Sequence, residues 1–294
     1  MLKPPKSFTE QVEILSERGM LIHSVLAAER HLSRRNYYRL NAYFHHFLVE
    51  DKYSGRISFE DVMLIEEFDS VFRHYIFSYL ESIELRLRTQ IGYATGMKFG
   101  ADAFYTGECF YKNNREDALA LIAENHEEIL LRYNKNPVIR HHKNRYGGQL
   151  PVWVTVEFLS FGDLSKVYGV LDGSIQTAVA NDFGVQTNLF RSWIRCLSVF
   201  RNICAHHGYL FRRKLDIQAV IPREFMNSVR NNEIFTVIFC INSLSTKVEQ
   251  RKFRQGLINF EEYLNSAGFT NYRVRLGDYG FPANWREILV KAAA

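Results

Sequence analysis

The chain has 294 residues, of which 47% are hydrophobic, 23% charged and 14% aromatic, with a formal net charge of +5. That apolar content excludes disorder as the dominant state, and 17 Gly and 6 Pro without a period exclude a collagen-like or low-complexity chain. No run of about 18 uncharged apolar residues occurs, which excludes a membrane-spanning helix, and the opening MLKPPKSFTEQ lacks the apolar stretch of a secretory signal, so a cytoplasmic location is expected.

The elements read as helices throughout. Ser7-Phe8-Thr9-Glu10 is a capping box, followed by Phe8, Val12 and Leu15 on one face, with Gly19 as a stop. A second helix is expected from Ser24 to Arg34. The aromatic segment Asn36 to Leu48 is read as a third. The strongest element runs from Ser58 to Thr95. Ser58 and Asp61 mark its start. Val62, Ile65, Phe68, Phe72, Ile76, Tyr79, Ile83, Leu87 and Ile91 then form one apolar stripe. Such a length implies a spine helix, ended by Gly96 and Gly100. Residues 101–150 are less periodic: a helix from Arg115 to Arg132, then an exposed basic loop, NKNPVIRHHKNRYGGQL. Pro151 opens a helix carrying Trp153, Phe158 and Leu159. Further helices are expected near Ile175–Asp182, Leu189–His206 with Gly208 as terminator, Asn231–Ser243 and Lys247–Ser266. The tail from Ala267 to Ala294 reads as irregular with one short helix. No repeat and no strand alternation occurs, so the fold is read as an all-α bundle. Its parts are an N-terminal helical segment (1–57) packed on the bundle, a main helical domain (58–266) with helices and a loop inserted around 101–150, and a C-terminal tail (267–294).

Cys109, Cys196, Cys204 and Cys240 form no C-x-x-C pair and read as reduced, mostly buried thiols. The informative stretch for chemistry is Phe183 to Leu215. Asp182 and Asp216 bound it, and no acid lies inside. Arg191, Arg195, Arg201, Arg212, Arg213, Lys214, His206 and His207 make it either a phosphate-binding surface or a basic face paired with acids from elsewhere in the fold. Within it, Arg201-Asn202-Ile203-Cys204-Ala205-His206-His207 offers a fixed cation, an amide and an imidazole near a helix end, with Asn202 and His206 one turn apart. These are the parts that metal-free RNA cleavage needs: a histidine able to move a proton, and an arginine able to neutralise charge on the phosphorane-like transition state. The same residues could also cap carbonyls or favour the helix dipole. The spacing recurs at Arg18–His23 and from Arg39 to His45 or His46. The Arg201 copy differs in its polar Asn202 and its acid-free surroundings.

The segment RNICAHHGYLFRRKL resembles the signature of the Abi-like abortive-infection proteins, the AbiD/AbiF group of phage-defence proteins, and its core is similar to the R-x(4–6)-H motif of HEPN ribonucleases. SFTEQVEILSERGMLI, NYYRLNAYFHHF, FRHYIFSYLESIELRLRTQI, LPVWVTVEFLSFGDLSKVY and GFPANW look like further blocks of the same family, in the right order over nearly the whole chain. The resemblance implies a HEPN-like helical bundle and a metal-independent endoribonuclease leaving 2′,3′-cyclic phosphate and 5′-hydroxyl ends. On this chain Arg201 and His206 match the motif's ends and Asn202 its polar second position, with His207 as an accessory neighbour. One full copy implies a composite site in a homodimer. The expected partners are an RNA substrate and an inhibitory noncoding RNA. Some HEPN proteins bind RNA or nucleotides without cutting, and that is the alternative.

Arg195, Arg212, Arg213 and Lys214 are expected to contact RNA. So are Arg34, Arg35 and Arg39, which interleave with Tyr37, Tyr38, Tyr43, Phe44 and Phe47, although aromatics at helical spacing also suit a core. On the spine, Glu84 and Arg88 fit an i,i+4 salt bridge. The pairs His45-His46, His141-His142 and His206-His207 complete no familiar ligand spacing, and no metal is expected. No Walker loop, G-x-G-x-x-G or G-x-S-x-G occurs, so no cofactor is expected either.

Overall fold

A computed structural model describes residues 4–53 and 57–293; the first three residues of the opening segment, residues 54–56 of the N-terminal segment and Ala294 of the tail lie outside the described residues. Among the described residues the regular structure consists of fourteen α-helices and four 3-10 turns, with isolated β-bridges and no strand. The chain is all-α.

Helix α1 (Phe8–Glu17) starts in the expected capping box. Ser7 Oγ accepts from Glu10 N at 3.2 Å, and Glu10 accepts from Ser7 N at 2.7 Å. Ser24 caps α2 (Val25–Arg34) and Asn36 caps α3 (Tyr37–Phe44), which tightens into a 3-10 turn at His45–Phe47. The spine is α4 (Phe59–Phe99). Its 41 residues make it about 60 Å long. Ser58 and Asp61 form its capping box. The apolar stripe is buried from Val62 to Ile91, except for the half-buried Tyr79, whose ring lies 4.6 Å from Phe253. Gly100, at φ 88°, caps the end, whereas Gly96 lies inside the helix. Gly96 and Gly92 are there for packing: a Cβ on Gly92 would come within 3.2 Å of the Trp153 Cα.

The short α5 (Ala103–Thr106) is followed by α6 (Arg115–Arg132), which has the expected bounds. The stretch read as an exposed basic loop is instead a helix, α7 (Pro137–Tyr146). Asn136 caps it, Pro137 opens it, Gly147 in the left-handed region ends it, and Ile139 and His142 are buried beneath its basic face. The Pro151 helix is also shorter than its apolar residues suggest. It is α8 (Val152–Phe158), and Ser160 then caps a separate α9 (Phe161–Val170) by accepting from Asp163 N at 3.2 Å. The remaining helices are α10 (Gly173–Asp182), α11 (Thr187–Ala205), α12 (Ile234–Leu244), α13 (Lys247–Ser266) and α14 (Trp285–Lys291).

Helices α8, α10, α11 and α12 pack along α4, α2 and α3 cover its N-terminal part, and α9 lies between α6 and α11. Helix α12 is apolar on nearly every face and correspondingly buried. One contiguous core runs from Val12 to Leu289. The tail is pinned to the bundle. The Asp61 carboxylate accepts from the backbone N–H groups of Thr270 (2.7 Å), Asn271 (2.9 Å) and Tyr272 (3.1 Å), and Asn242 donates to the Leu289 carbonyl at 2.9 Å. No helix among the described residues is long and apolar enough to cross a membrane.

Candidate active site

Helix α11 buries Phe190, Trp193, Ile194, Leu197, Phe200 and Cys204 and leaves Arg195 and Asn202 exposed. It ends in a Schellman turn. His206 N donates to Asn202 O at 2.9 Å, His207 N to Cys204 O at 3.1 Å and Gly208 N to Ile203 O at 2.7 Å. His207 takes the left-handed position, at φ 57°, where glycine is the usual occupant. Gly208 is required for a different reason: a Cβ there would lie 2.7 Å from Ile203 Cγ2 and 3.1 Å from Ile203 O. The turn leaves both histidines exposed, with Asn202 one turn upstream. Cys204 is not a nucleophile here, because burial pushes its thiol up to about 12.

Arg201 turns towards the spine. Its Nε lies 3.4 Å from Glu84 Oε2, and its guanidinium carbon sits 5.6 Å from the centroid of the Phe77 ring. Glu84 is buried and also pairs with Arg88, as the i,i+4 spacing leads one to expect. One carboxylate therefore holds two guanidinium groups. The hold of Glu84 on the motif arginine was not legible in the sequence, because the two residues share no local pattern. None of the Arg201 side-chain nitrogens makes a hydrogen bond among the described residues, the buried Nε included.

A second buried carboxylate, Asp69, fixes the chain leaving the turn. Its Oδ2 accepts from Leu210 N (2.5 Å), Phe211 N (3.3 Å) and Tyr43 Oη (3.0 Å), and its Oδ1 accepts from Tyr279 Oη at 2.8 Å. Arg73, one turn further along α4, lies 3.7 Å from Asp69 and donates to Gly208 O at 3.1 Å. Burial pushes the Asp69 carboxyl up, against the pull of these donors and of Arg73. Asp69 and Arg73 escaped sequence reasoning too. Their only local signal is i,i+4 spacing beside the apolar stripe, which a solvated pair would share.

The other cations have varied surroundings. Arg195 is exposed and has no ion pair among the described residues. Arg212 pairs with Asp278 at 3.0 Å and Lys214 with Glu233 at 2.6 Å. Arg213 stacks over the Tyr209 ring at 5.0 Å. The stretch that lacks acids in sequence thus receives them in space. Arg35 and Arg39 lie 3.0 and 3.7 Å from the buried Glu66, while Arg34 is exposed. Glu66 is about 27 Å from Glu84 along α4, so the structure does not bring these three arginines to Arg201. The aromatics between them are mostly core: Tyr43 and Phe44 are buried, and Tyr38 is exposed. Among the described residues no three His, Cys, Asp or Glu side chains gather as a metal site.

A family model described as Abi-like protein matches residues 30–212, which include the spine and the whole Arg201–His207 turn. No curated protein and no solved structure matches the chain.

Proposed function

The chain belongs to the Abi-like protein family, and from that membership and the arrangement around Arg201 and His206 we propose that it is a metal-independent HEPN-type endoribonuclease of abortive infection against phage. The observation that carries this reading is an exposed imidazole at the end of the helix whose Arg201 guanidinium is ion-paired with a buried carboxylate. His206 is the C-cap of α11, about 7.5 Å along the axis from Arg201, and the Arg201 guanidinium lies 3.4 Å from Glu84 as an ion pair, with its nitrogens free of hydrogen bonds among the described residues.

The chemistry follows from those parts. His206 takes the proton from a ribose 2′-hydroxyl, or returns one to the leaving 5′-oxygen. The planar fork of Arg201 offsets the charge that builds on the non-bridging phosphate oxygens. Asn202 orients the phosphate from the same face. Attack by the 2′-oxygen on the adjacent phosphorus breaks the P–O5′ bond and leaves a 2′,3′-cyclic phosphate and a 5′-hydroxyl. The chain carries this motif once in this context, so a composite site uses two copies about a twofold axis. An activity of this kind requires restraint in a healthy cell, and a structured noncoding RNA fits the role.

The test is incubation of purified protein with total RNA in EDTA, beside His206→Ala and Arg201→Ala. The expected result is new RNA ends from wild type alone. A protein that binds RNA but cuts none, with His206→Ala changing only affinity, is a binding module instead.

A further inference from the structure

Beside Arg201 lies a pocket of about 200 Å³ between α4, α6 and the α8–α9 junction. Its size suits one nucleobase and not a whole nucleotide. Its charge points the same way. The guanidinium groups of Arg88, Arg132 and Arg201 meet four carboxylates there. Arg88 is already spent on Glu84 and on the carbonyls of Val156 and Glu157, and Arg132 lies 3.4 Å from Glu128. A phosphate entering the pocket finds no net positive charge, whereas a flat neutral group meets no such barrier.

The walls supply stacking and reading groups. The rings of Tyr133 and Phe158 stand 5.0 Å apart at 54°, a platform for one aromatic face. Asn125 is 8% exposed and gives its Nδ2 to the Leu121 carbonyl at 2.8 Å. Its Oδ1 has no partner among the described residues and remains an acceptor. The exposed carboxylate of Glu157 forms no ion pair among the described residues and is a second acceptor. The uncommitted polar atoms thus include two acceptors, Asn125 Oδ1 and the Glu157 carboxylate, beside the unbonded guanidinium donors of Arg201, and the two acceptors favour a base edge that carries donors. Guanine alone presents two adjacent N–H donors, at N1 and at the exocyclic amine.

We propose that this pocket is the base-reading subsite of the Arg201–His206 site and takes a guanine whose phosphate lies against Arg201. The proposal rests on the ribonuclease reading for its place beside the cut, but the recognition itself is tested without cleavage.

His206→Ala protein is titrated with the RNA pentamers UUGUU, UUAUU, UUCUU and UUUUU. UUGUU is expected to bind about tenfold tighter than the others. Adding Asn125→Ala or Glu157→Gln is expected to bring all four within about twofold. Glu157 is exposed, so its variant decides the matter if Asn125→Ala fails to fold. Equal binding of the four pentamers, or a preference that both variants leave intact, overturns the subsite. Free GMP binding as tightly as UUGUU overturns the assignment to RNA. Wild-type cleavage of the same pentamers is read separately. Preference without cutting overturns the nuclease and keeps the subsite, cutting without preference does the reverse, and neither overturns both.

Discussion

Arg201 Nε lies 3.4 Å from Glu84 Oε2, so the motif arginine on α11 is braced against the spine helix and not against the motif histidine. Glu84 also holds Arg88. The carboxylate sets where the guanidinium sits. In the proposed ribonuclease mechanism this separates two tasks, the proton handled at the exposed end of α11 and the phosphate charge at its junction with α4.

Glu84→Gln keeps the side-chain shape and removes the charge that holds both arginines. The expected outcome is a loss of about 1–3 kcal/mol in stability. The cleavage rate should fall at least about tenfold, equivalent to about 1.4 kcal/mol in the barrier. The pH profile of the remaining activity should be unchanged, because Glu84 moves no proton. Urea unfolding gives the first quantity and a pH–rate series the others. Glu84→Asp should recover part of the rate.

The two adjacent histidines should separate cleanly. His206 is exposed and its side chain forms no hydrogen bond or ion pair among the described residues. His206→Ala should therefore leave the unfolding midpoint within about 0.5 kcal/mol of wild type and cost about 10²–10⁴ in rate. His207 occupies a left-handed position at φ 57°. His207→Gly should stabilise the protein by up to about 1 kcal/mol, so any activity it loses reports the imidazole and not the fold.

Asp69 ties α3, α4, the turn after α11 and the C-terminal segment together through Tyr43, Arg73, Leu210 and Tyr279. Asp69→Ala leaves a buried guanidinium and two backbone N–H groups without their partner. A loss of about 3–5 kcal/mol is expected, read by denaturant unfolding. Asp69→Asn keeps an acceptor and should cost less.

Burial holds the thiols of Cys109, Cys196 and Cys204 up at about 12. In the unfolded chain a thiol ionises near about 8.5. Between these limits the folded state holds more protons, so stability should fall as pH rises from about 9 towards 12. Native protein at pH 8 should react slowly with a thiol reagent and keep its activity, whereas unfolded protein should expose all four cysteines.

Local signals carried most of the fold. Helices α6 and α13 have the bounds read from the sequence, since their starts and apolar spacings are encoded within a few residues, as the Thr246–Glu249 box shows. Helix α7 was missed because its basic face outweighed two buried residues, although cap, proline and glycine were all in place. At the site, the Arg201–His206 spacing was legible because one helix carries it. Glu84, Asp69 and Arg73 were not, because a buried charge looks like a solvated one until the fold brings its partner from a distant part of the chain. The acids that answer Arg212 and Lys214 were hidden for the same reason.

In the proposed mechanism the 2′-hydroxyl attacks the phosphate at the Arg201–His206 site. The most direct measurement uses one short RNA that the protein cuts, in EDTA, beside the same RNA with a single 2′-deoxy nucleotide on the 5′ side of the cut. A 2′,3′-cyclic phosphate and a 5′-hydroxyl are expected from the first, and no cut at that bond in the second. Cleavage of the deoxy-substituted bond, or a product bearing a 5′-phosphate, would contradict it.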